Sequence, residues 1–317
     1  MDLLTPTLGF LHALHILALQ PLAIAFSALG SEPCYLLLLP LVYWLVDRRI
    51  GARLGILLLV SVLINDLAKV AFHLPRPYWV DASLTPLSKV GLERSFGFPS
   101  GHAQGAFLIW PFLAMQMPGK RKWLCWALTL ASCIAVSRMI LGVHWPLDVV
   151  GGALLGGGLT AFYLRYGSSL ERAFRSRLQG NQLIAVVLFI ALCGGLGAAL
   201  LGQAVREAAP NMSQFTRTAF ALEARSVLER CAALGGLLVG LVMAPAGVEA
   251  NGIGRERVMR LLVGFAGLVV FYFGFKVFSG WPTGAFLRYF FTTFWVSCGA
   301  LWAFRALGLN GARSIET

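Results

Sequence analysis

Three short polar segments interrupt the apolar sequence of this 317-residue chain and carry residues that could do chemistry. The first runs from Lys69 to Arg76-Pro77, the second is Pro99-Ser100-Gly101-His102, and the third contains Ser137-Arg138, His144 and Asp148. Together they supply three cations, two imidazoles, a carboxylate and a glycine at an expected helix start. This set suits the removal of a phosphoryl group from an oxygen, because phosphoryl transfer depends on positioning and on neutralising charge at the nonbridging oxygens.

The cations Lys69, Arg76 and Arg138 lie within or beside apolar runs, where charge is costly. A charged side chain at the centre of a membrane costs roughly 2.5–3.5 kcal/mol on insertion scales. A lone cation near the end of a span usually extends its charge to the interface instead. Three cations in this pattern, beside two histidines, are better explained as ligands of phosphate oxygens.

Ser100 and Gly101 stand where an irregular loop gives way to an apolar helix. Free N–H groups and the positive end of the dipole make a helix start an anion site, and glycine lets the backbone approach closely. An ordinary helix cap would also explain Ser100 and Gly101. It would leave His102 unexplained, so we predict a phosphate-binding role for this segment.

His144 and Asp148 are four residues apart, and Pro146 suits the first turn of the helix that follows. At this spacing the carboxylate can hold the imidazole in one tautomer and raise its nucleophilicity. Spacing alone does not tell whether His102 or His144 is the nucleophile.

The composite pattern Lys-x6-Arg-Pro, Pro-Ser-Gly-His and Ser-Arg-x5-His-x3-Asp resembles the type 2 phosphatidic acid phosphatase (PAP2) superfamily, over roughly residues 30 to 165. The resemblance implies that His144 attacks phosphorus to give a phosphohistidine, that His102 protonates the leaving oxygen, and that Asp148 orients His144. Water would then release phosphate. Phosphate binding would fall to Lys69, Arg76, Ser100, Gly101 and Arg138.

The sequence shows no His, Asp or Glu cluster with metal-ligand spacing, and it contains 14 acidic residues in all. We therefore expect a metal-independent mechanism without a cofactor. The six cysteines are scattered in or beside apolar runs and read as small buried hydrophobic residues. His12 and His15 have no matching carboxylate nearby, and His73 has no counterpart in the family pattern, so structural or interfacial roles are expected for them.

The composition indicates an integral membrane protein, with 58% hydrophobic residues, 13% charged residues and a mean hydropathy of +0.74. The apolar segment at about residues 9–30 is interrupted by polar residues and proline, and whether it crosses the membrane stays open. Apolar runs long enough to cross a bilayer, together with a shorter one at 33–46, predict about nine spans, the long ones at about 54–74, 100–117, 123–143, 146–165, 182–202, 226–245, 259–278 and 284–304.

The predicted fold is all-α: a polytopic membrane helical bundle with a PAP2-like catalytic core at residues 1–177 and appended helices at 178–317. We expect no cleaved signal peptide, because Asp2 is the only charged residue before Glu32 and a positive n-region is missing. The first helices should therefore remain in the mature protein.

The net charge of +12 could suggest a nucleic-acid ligand, but its distribution favours membrane topology instead. Lys and Arg cluster in alternate loops, which the positive-inside rule places in the cytoplasm. The three polar segments then fall at the exoplasmic face, in a bacterial inner membrane facing the periplasm or exterior. The clusters are Arg48 to Arg53, Lys120 to Lys122, Arg165 to Arg177 and Arg255 to Arg260.

The leading functional hypothesis is a phosphatase for a lipid phosphate or diphosphate, with the bilayer and a lipid substrate as its partners. Arg76-Pro77-Tyr78-Trp79 also looks like the glucose-6-phosphatase branch of the superfamily, whose substrate is a soluble sugar phosphate. A phosphotransferase could pass the same phosphohistidine to another hydroxyl, and a non-catalytic transporter could use the cations to guide an anion. The histidines and Asp148 argue against the transporter. The oligomeric state is left open.

Overall fold

The computed structural model describes residues 4–14, 17–85, 93–177, 214–250, 254–278 and 282–311, and these form helices, turns and loops without a strand. The all-α prediction is confirmed for this part of the chain. In the first half the helices are α1 (Leu4–Leu14), α2 (Gln20–Leu29), α3 (Glu32–Leu41, extended by a π-helical turn, Val42–Val46), α4 (Arg48–Phe72), α5 (Pro77–Val80), α6 (Gly101–Ala114), α7 (Lys120–Ile140) and α8 (Pro146–Arg177).

The second half contributes further helices after residue 213. They are α9 (Gln214–Met243), α10 (Gly254–Gly274, followed by a 3₁₀ turn, Phe275–Phe278), α11 (Pro282–Phe294) and, after a π-helical turn at Trp295–Gly299, α12 (Ala300–Ala306).

The chain is a multi-pass integral membrane protein. In its described part five helical segments are long and apolar enough to cross a membrane, and α2 with α3, bent by 41°, could form a sixth. The five are Arg48–Val80, Lys120–Ile140, Pro146–Arg172, Gln214–Met243 and Gly254–Val277.

The predicted total of nine spans is not confirmed. The expected span at 182–202 lies outside the described residues. The expected span at 100–117 is the 14-residue α6, which is shorter than the usual length of a crossing helix. The expected span at 284–304 falls in α11, the π-helical turn and α12, which follow one another as helix but are not among the five segments that are long and apolar enough to cross.

The chain splits into two compact units. Among the described residues, the first unit contains those up to Tyr35, from Ser61 to Glu171, and from the start of α9 to Ala224. The second contains residues 36–60, the remainder of α8, and the chain from Arg225 onward. The boundary predicted at residue 177 remains a prediction.

The first unit holds its helices together with small residues and a buried polar network. Ala106, Ala131 and Ile134 are fully buried where α6 packs against α7. On α8, a side chain at Gly156 would collide with the carbonyl oxygen of Gln104 on α6. Small residues allow helices to approach this closely in lipid, where packing and hydrogen bonds drive association.

The side chain of Gln104 also connects α6 to α4. Its Oε1 accepts a hydrogen bond from Asn65 Nδ2 at 2.7 Å, and its Nε2 donates to the carbonyl oxygen of Ser61 at 2.7 Å. Asn65 Nδ2 lies 3.3 Å from the carbonyl oxygen of Pro99 as well. The polar end of α4 is thereby fixed against the start of α6, where the second polar segment lies.

The second unit has its own core around Trp44, which makes edge contacts with Phe265 and Phe304. Arg260 is fully buried there and donates to the carbonyl oxygen of Leu309 at 3.0 Å and to Glu256 Oε1 at 2.9 Å. These contacts give the second unit a packed interior of its own.

Candidate active site

Arg76 ends the loop after α4 and is fully buried. It is extended, and Pro77 at the first position of α5 favours that conformation in the residue before it. The guanidinium donates to the carbonyl oxygens of Ser95 at 2.7 Å, Phe96 at 3.1 Å and Val143 at 3.0 Å. Arg76 therefore joins the first polar segment to the loops that lead into the second and third.

Asp148 lies in the first turn of α8 and His144 stands two residues before that helix, and the two side chains meet as their spacing predicts. Asp148 Oδ2 lies 3.2 Å from His144 Nδ1 and accepts from the backbone N–H of Trp145 at 2.9 Å. An ionised carboxylate can only accept, so Nδ1 carries the proton and Nε2 presents a lone pair. Arg76 Nη1 lies 3.1 Å from that Nε2. The imidazole is thus held in the tautomer that a nucleophile at Nε2 requires.

The turn before His144 depends on Gly142. Its φ of 69° lies in the left-handed region, and a Cβ there would collide with the carbonyl oxygen of Leu84. The turn lets Val143 direct its carbonyl oxygen at Arg76 and places His144 in the buried interior. Burial lowers the pKa of His144 well below its usual value, and the charge of Arg76 adds to this effect. A neutral imidazole is favoured.

Ser100 caps α6, and its Oγ accepts from the backbone N–H of Ala103 at 3.4 Å. Its own backbone N–H donates to the carbonyl oxygen of Asp148 at 2.9 Å, which joins the second polar segment to the third. Gly101 and His102 form the first turn of α6, where backbone N–H groups lack helical partners. The cap alternative is therefore realised for Ser100, in a position that also suits anion binding.

Arg138 lies in the last turn of α7 and is buried. Its Nη1 donates to Ser27 Oγ on α2 at 2.5 Å, and its Nη2 donates to Glu93 Oε1 at 2.5 Å. Its buried Nε has no hydrogen-bond partner among the described residues.

Glu93 is one of the residues of this network that the sequence analysis missed. Its Oε2 accepts from Arg76 Nη2 at 2.6 Å, its Oε1 accepts from Arg138 Nη2 at 2.5 Å, and Oε1 lies 3.6 Å from His102 Nδ1. Burial would raise the pKa of Glu93, but the charges of Arg76 and Arg138 outweigh it and hold the pKa well below its usual value. A signal existed, because Glu93 is the one acidic residue between Asp81 and Asp148.

Lys69 is buried and reaches the same network through Ser95. Its Nζ donates to Ser95 Oγ at 3.0 Å, and Arg76 Nη2 donates to that oxygen at 3.0 Å. Lys69 Nζ also lies 3.8 Å from Glu223 Oε1 on α9. Ser95 and Glu223 are further site residues that the motifs did not reveal.

The beginning of α9 covers this network with aromatic side chains. Phe215 stacks on Trp79 with ring centroids 5.8 Å apart, and Phe220 makes an edge contact with Phe96 at 4.8 Å. Phe96 supplies one of the carbonyl oxygens that hold Arg76. The site therefore has an aromatic wall next to its cations.

The two other histidines that the structure describes, His12 and His73, make contacts of a different kind. His12 Nε2 is 3.0 Å from Asp81 Oδ2 in an exposed pair. His73 has a positive φ of 39° and contacts Phe96 and Phe220. His15 lies outside the described residues. Among the described residues, no group of three or more His, Cys, Asp or Glu side chains is placed to hold a metal ion.

The structure thus brings the predicted residues of all three polar segments into one network. The arrangement joins the expected nucleophile, the carboxylate expected to orient it, a second imidazole and three cations. Such a set can hold a phosphate group, transfer the phosphoryl group to a histidine nitrogen and neutralise the charge that develops on the phosphoryl oxygens.

Comparison with known families agrees with this chemistry. Residues 50–172 match the PAP2 superfamily, and residues 228–313 match the transmembrane extension of PAP2 superfamily phosphatases. The chain therefore carries a PAP2 superfamily domain followed by that extension, which confirms the resemblance drawn from the sequence. The polar segments from Lys69 to Asp148 all lie within the first match.

The chain is similar to several named lipid phosphatases. It is 31% identical to human sphingosine-1-phosphate phosphatase 2 over 41% of this chain and 33% of the relative. It is 32% identical to undecaprenyl-diphosphatase of Sulfolobus acidocaldarius over 34% of this chain and 51% of the relative. It is 34% identical to phosphatidylglycerophosphatase B of Bacillus subtilis over 27% of this chain and 45% of the relative.

These matches span a third to about half of the relatives' length. No solved structure matches the chain.

Proposed function

We propose that this protein is a metal-independent membrane phosphatase that hydrolyses a phosphate monoester or diphosphate of a lipid at the exoplasmic face, through a phosphohistidine on His144. The observation that carries the proposal is the arrangement at His144. Its Nδ1 is bound to Asp148, and its Nε2 lies 3.1 Å from the buried Arg76. A phosphate held by Arg76 would therefore lie next to the nitrogen that attacks it.

The first step forms a bond between His144 Nε2 and phosphorus and breaks the bond from phosphorus to the leaving oxygen. Burial lowers the pKa of His102 to about 3, so the negative charge of the bound phosphate must raise that pKa before His102, once protonated, gives its proton to the leaving oxygen. Asp148 stabilises the positive charge that forms on the His144 ring. Arg76 and Arg138 neutralise the equatorial oxygens.

In the second step a water molecule attacks phosphorus, and His102 takes up a proton from that water. The bond between phosphorus and Nε2 breaks, and phosphate leaves. The sum is hydrolysis of one ester or anhydride bond, with both histidines returned to their starting states.

A lipid substrate is favoured by the surroundings of the site. An apolar cavity of about 540 Å³ lies between α2 and α7 and is lined in part by Phe26, Val136 and Ser137. Phe26 is next to Ser27 in the sequence, and Ser137 is next to Arg138. The side chains of Ser27 and Arg138 are hydrogen-bonded to each other. The relatives named above also act, by their names, on lipid phosphates or diphosphates. A lipid tail in this cavity would leave its phosphate near Arg138.

The exoplasmic assignment is supported by the direction of α7. The Lys120–Lys122 cluster begins this 21-residue helix, and Arg138 lies in its last turn. A helix of that length extends about 31 Å, enough to cross a bilayer. The cationic cluster and the site are therefore at opposite ends. The relative from Bacillus subtilis supports the proposal of a bacterial inner membrane, with the site facing the periplasm or exterior.

The decisive experiment is phosphate release by purified protein in detergent. The panel contains phosphatidic acid, phosphatidylglycerol phosphate, a sphingoid base phosphate, a polyprenyl diphosphate and glucose 6-phosphate. We expect release from at least one lipid and its loss in His144→Ala. Preference for glucose 6-phosphate would favour the sugar phosphatase alternative. A further assay uses a substrate labelled in its phosphate together with a second lipid. Label in that second lipid instead of in free phosphate would indicate a transferase.

A further inference from the structure

The carboxylate of Glu93 bridges the two guanidiniums that the proposed reaction assigns to phosphate. Its two oxygens accept separately from Arg76 and Arg138, at 2.6 and 2.5 Å. Carboxylates and phosphates both offer paired oxygens to arginine, with similar geometry. A substrate phosphate and the Glu93 carboxylate would therefore compete for the same N–H donors.

The position of Glu93 relative to both histidines also indicates that its carboxylate occupies the place of a substrate phosphate. Oε1 lies 3.6 Å from His102 Nδ1, and the Arg76 guanidinium that holds Oε2 also contacts His144 Nε2. The carboxylate thus lies beside the expected nucleophile and the expected acid. This is the place where the transferring phosphoryl group must bind.

Glu93 can leave this place while its partners remain. Its side chain is 29% exposed, whereas those of Arg76 and Arg138 are 0% and 2% exposed. Arg76 would keep its bonds to the backbone carbonyls of Ser95, Phe96 and Val143, and Arg138 would keep Ser27. The cations are therefore preorganised, and the carboxylate is the exchangeable member.

We propose that Glu93 is a specificity residue, an internal anion that occupies the phosphate subsite and is displaced by a phosphate monoester or diphosphate but not by a phosphodiester. This inference rests on the proposed function. A monoester dianion brings two charges to the arginines, whereas a phosphodiester brings one, the same as the carboxylate it would replace. A tethered competitor of one charge therefore discriminates against the phosphodiesters that make up most of the surrounding lipid.

The size of the effect follows from the fraction of molecules in which the subsite is open. If Glu93 occupies the subsite in about nine molecules of ten, it weakens the apparent affinity for any competing anion about tenfold. Removing the negative charge should restore that affinity and should do so for a monoanion as well as for a dianion.

The test is equilibrium binding to the purified full-length protein in detergent at pH 8. The probes are inorganic phosphate, a dianion there, and diethyl phosphate, a monoanionic diester. We expect wild-type protein to bind phosphate and to bind diethyl phosphate weakly. Glu93→Gln should bind phosphate about tenfold more tightly and should acquire measurable binding of diethyl phosphate.

Glu256→Gln is the matched control, because Glu256 also pairs with a buried arginine, Arg260, in the second unit. It should leave the binding of both probes unchanged. Glu93→Asp keeps the charge but is one methylene shorter, so it should give an intermediate gain. This variant decides the matter if Glu93→Gln does not fold, as judged by its thermal unfolding and elution volume.

The inference would be overturned if the folded Glu93 variants bound phosphate no more tightly than the wild type and showed no gain in binding of diethyl phosphate. Because binding is read without turnover, this result leaves the proposed function standing if the wild type releases phosphate. Absence of phosphate release from every substrate, with the binding changes intact, would instead refute the hydrolase proposal alone.

Discussion

Replacing Asp148 with asparagine should lower kcat by about 10³ to 10⁴ without a comparable change in KM. In the structure one oxygen, Oδ2, accepts from both His144 and Trp145. The amide oxygen of asparagine can take that place, so the fold and the ring orientation can survive. What disappears is the negative charge beside a ring that becomes cationic in the phosphohistidine.

The magnitude follows from the distance between the two groups. Asp148 Oδ2 and His144 Nδ1 are 3.2 Å apart. Two unit charges at that separation interact by about 5 kcal/mol at an effective dielectric constant of about 20. Each 1.36 kcal/mol in the barrier is about tenfold in rate, so the full term corresponds to somewhat less than about 10⁴. An amide dipole in the same place would recover part of it.

The assay is the initial rate of phosphate release in detergent, over a range of substrate concentrations that defines kcat and KM separately. Asp81→Asn is the matched control, because Asp81 also pairs with a histidine, His12, at 3.0 Å but in an exposed position. Exposed ion pairs contribute little, so this variant should keep its activity. Asp148→Asn protein that is folded and retains more than about a tenth of wild-type kcat would refute an electrostatic role for Asp148.

The remaining predictions concern the general acid His102, the absence of a metal requirement and the side of the membrane that the site faces. His102→Ala should lose much less activity on p-nitrophenyl phosphate than on an alkyl phosphate, because a good leaving group needs little protonation; equal losses would contradict the acid role. Activity should survive EDTA and be inhibited by vanadate, and restoration by Mg²⁺ after chelation would contradict a metal-free reaction. In a background without the six native cysteines, Ala82→Cys should react with an impermeant thiol reagent outside intact cells, whereas Lys122→Cys should react only after permeabilisation; the reverse would place the site in the cytoplasm.

Local residue patterns predicted those parts of the site that depend on short spacing. His144 stands two residues before α8 and Asp148 lies in its first turn, so their contact follows from a helix that begins at Pro146. Ser100 and Gly101 likewise mark the start of α6 through ordinary capping. The apolar composition was sufficient to predict membrane helices. It did not give their number, because the spacing of apolar residues does not show where α6 ends.

The roles of Glu93, Ser95 and Glu223 depend on contacts that no local pattern records. Glu93 is 45 residues from Arg138, and Glu223 lies on α9, far along the chain from Lys69. The charges themselves contained a hint. Arg76 and Arg138 are buried, and buried cations are rarely left without an anion. A sequence that places cations in an apolar bundle should therefore be searched for the carboxylate that neutralises them in the absence of substrate, and here that search leads from Arg76 and Arg138 directly to Glu93.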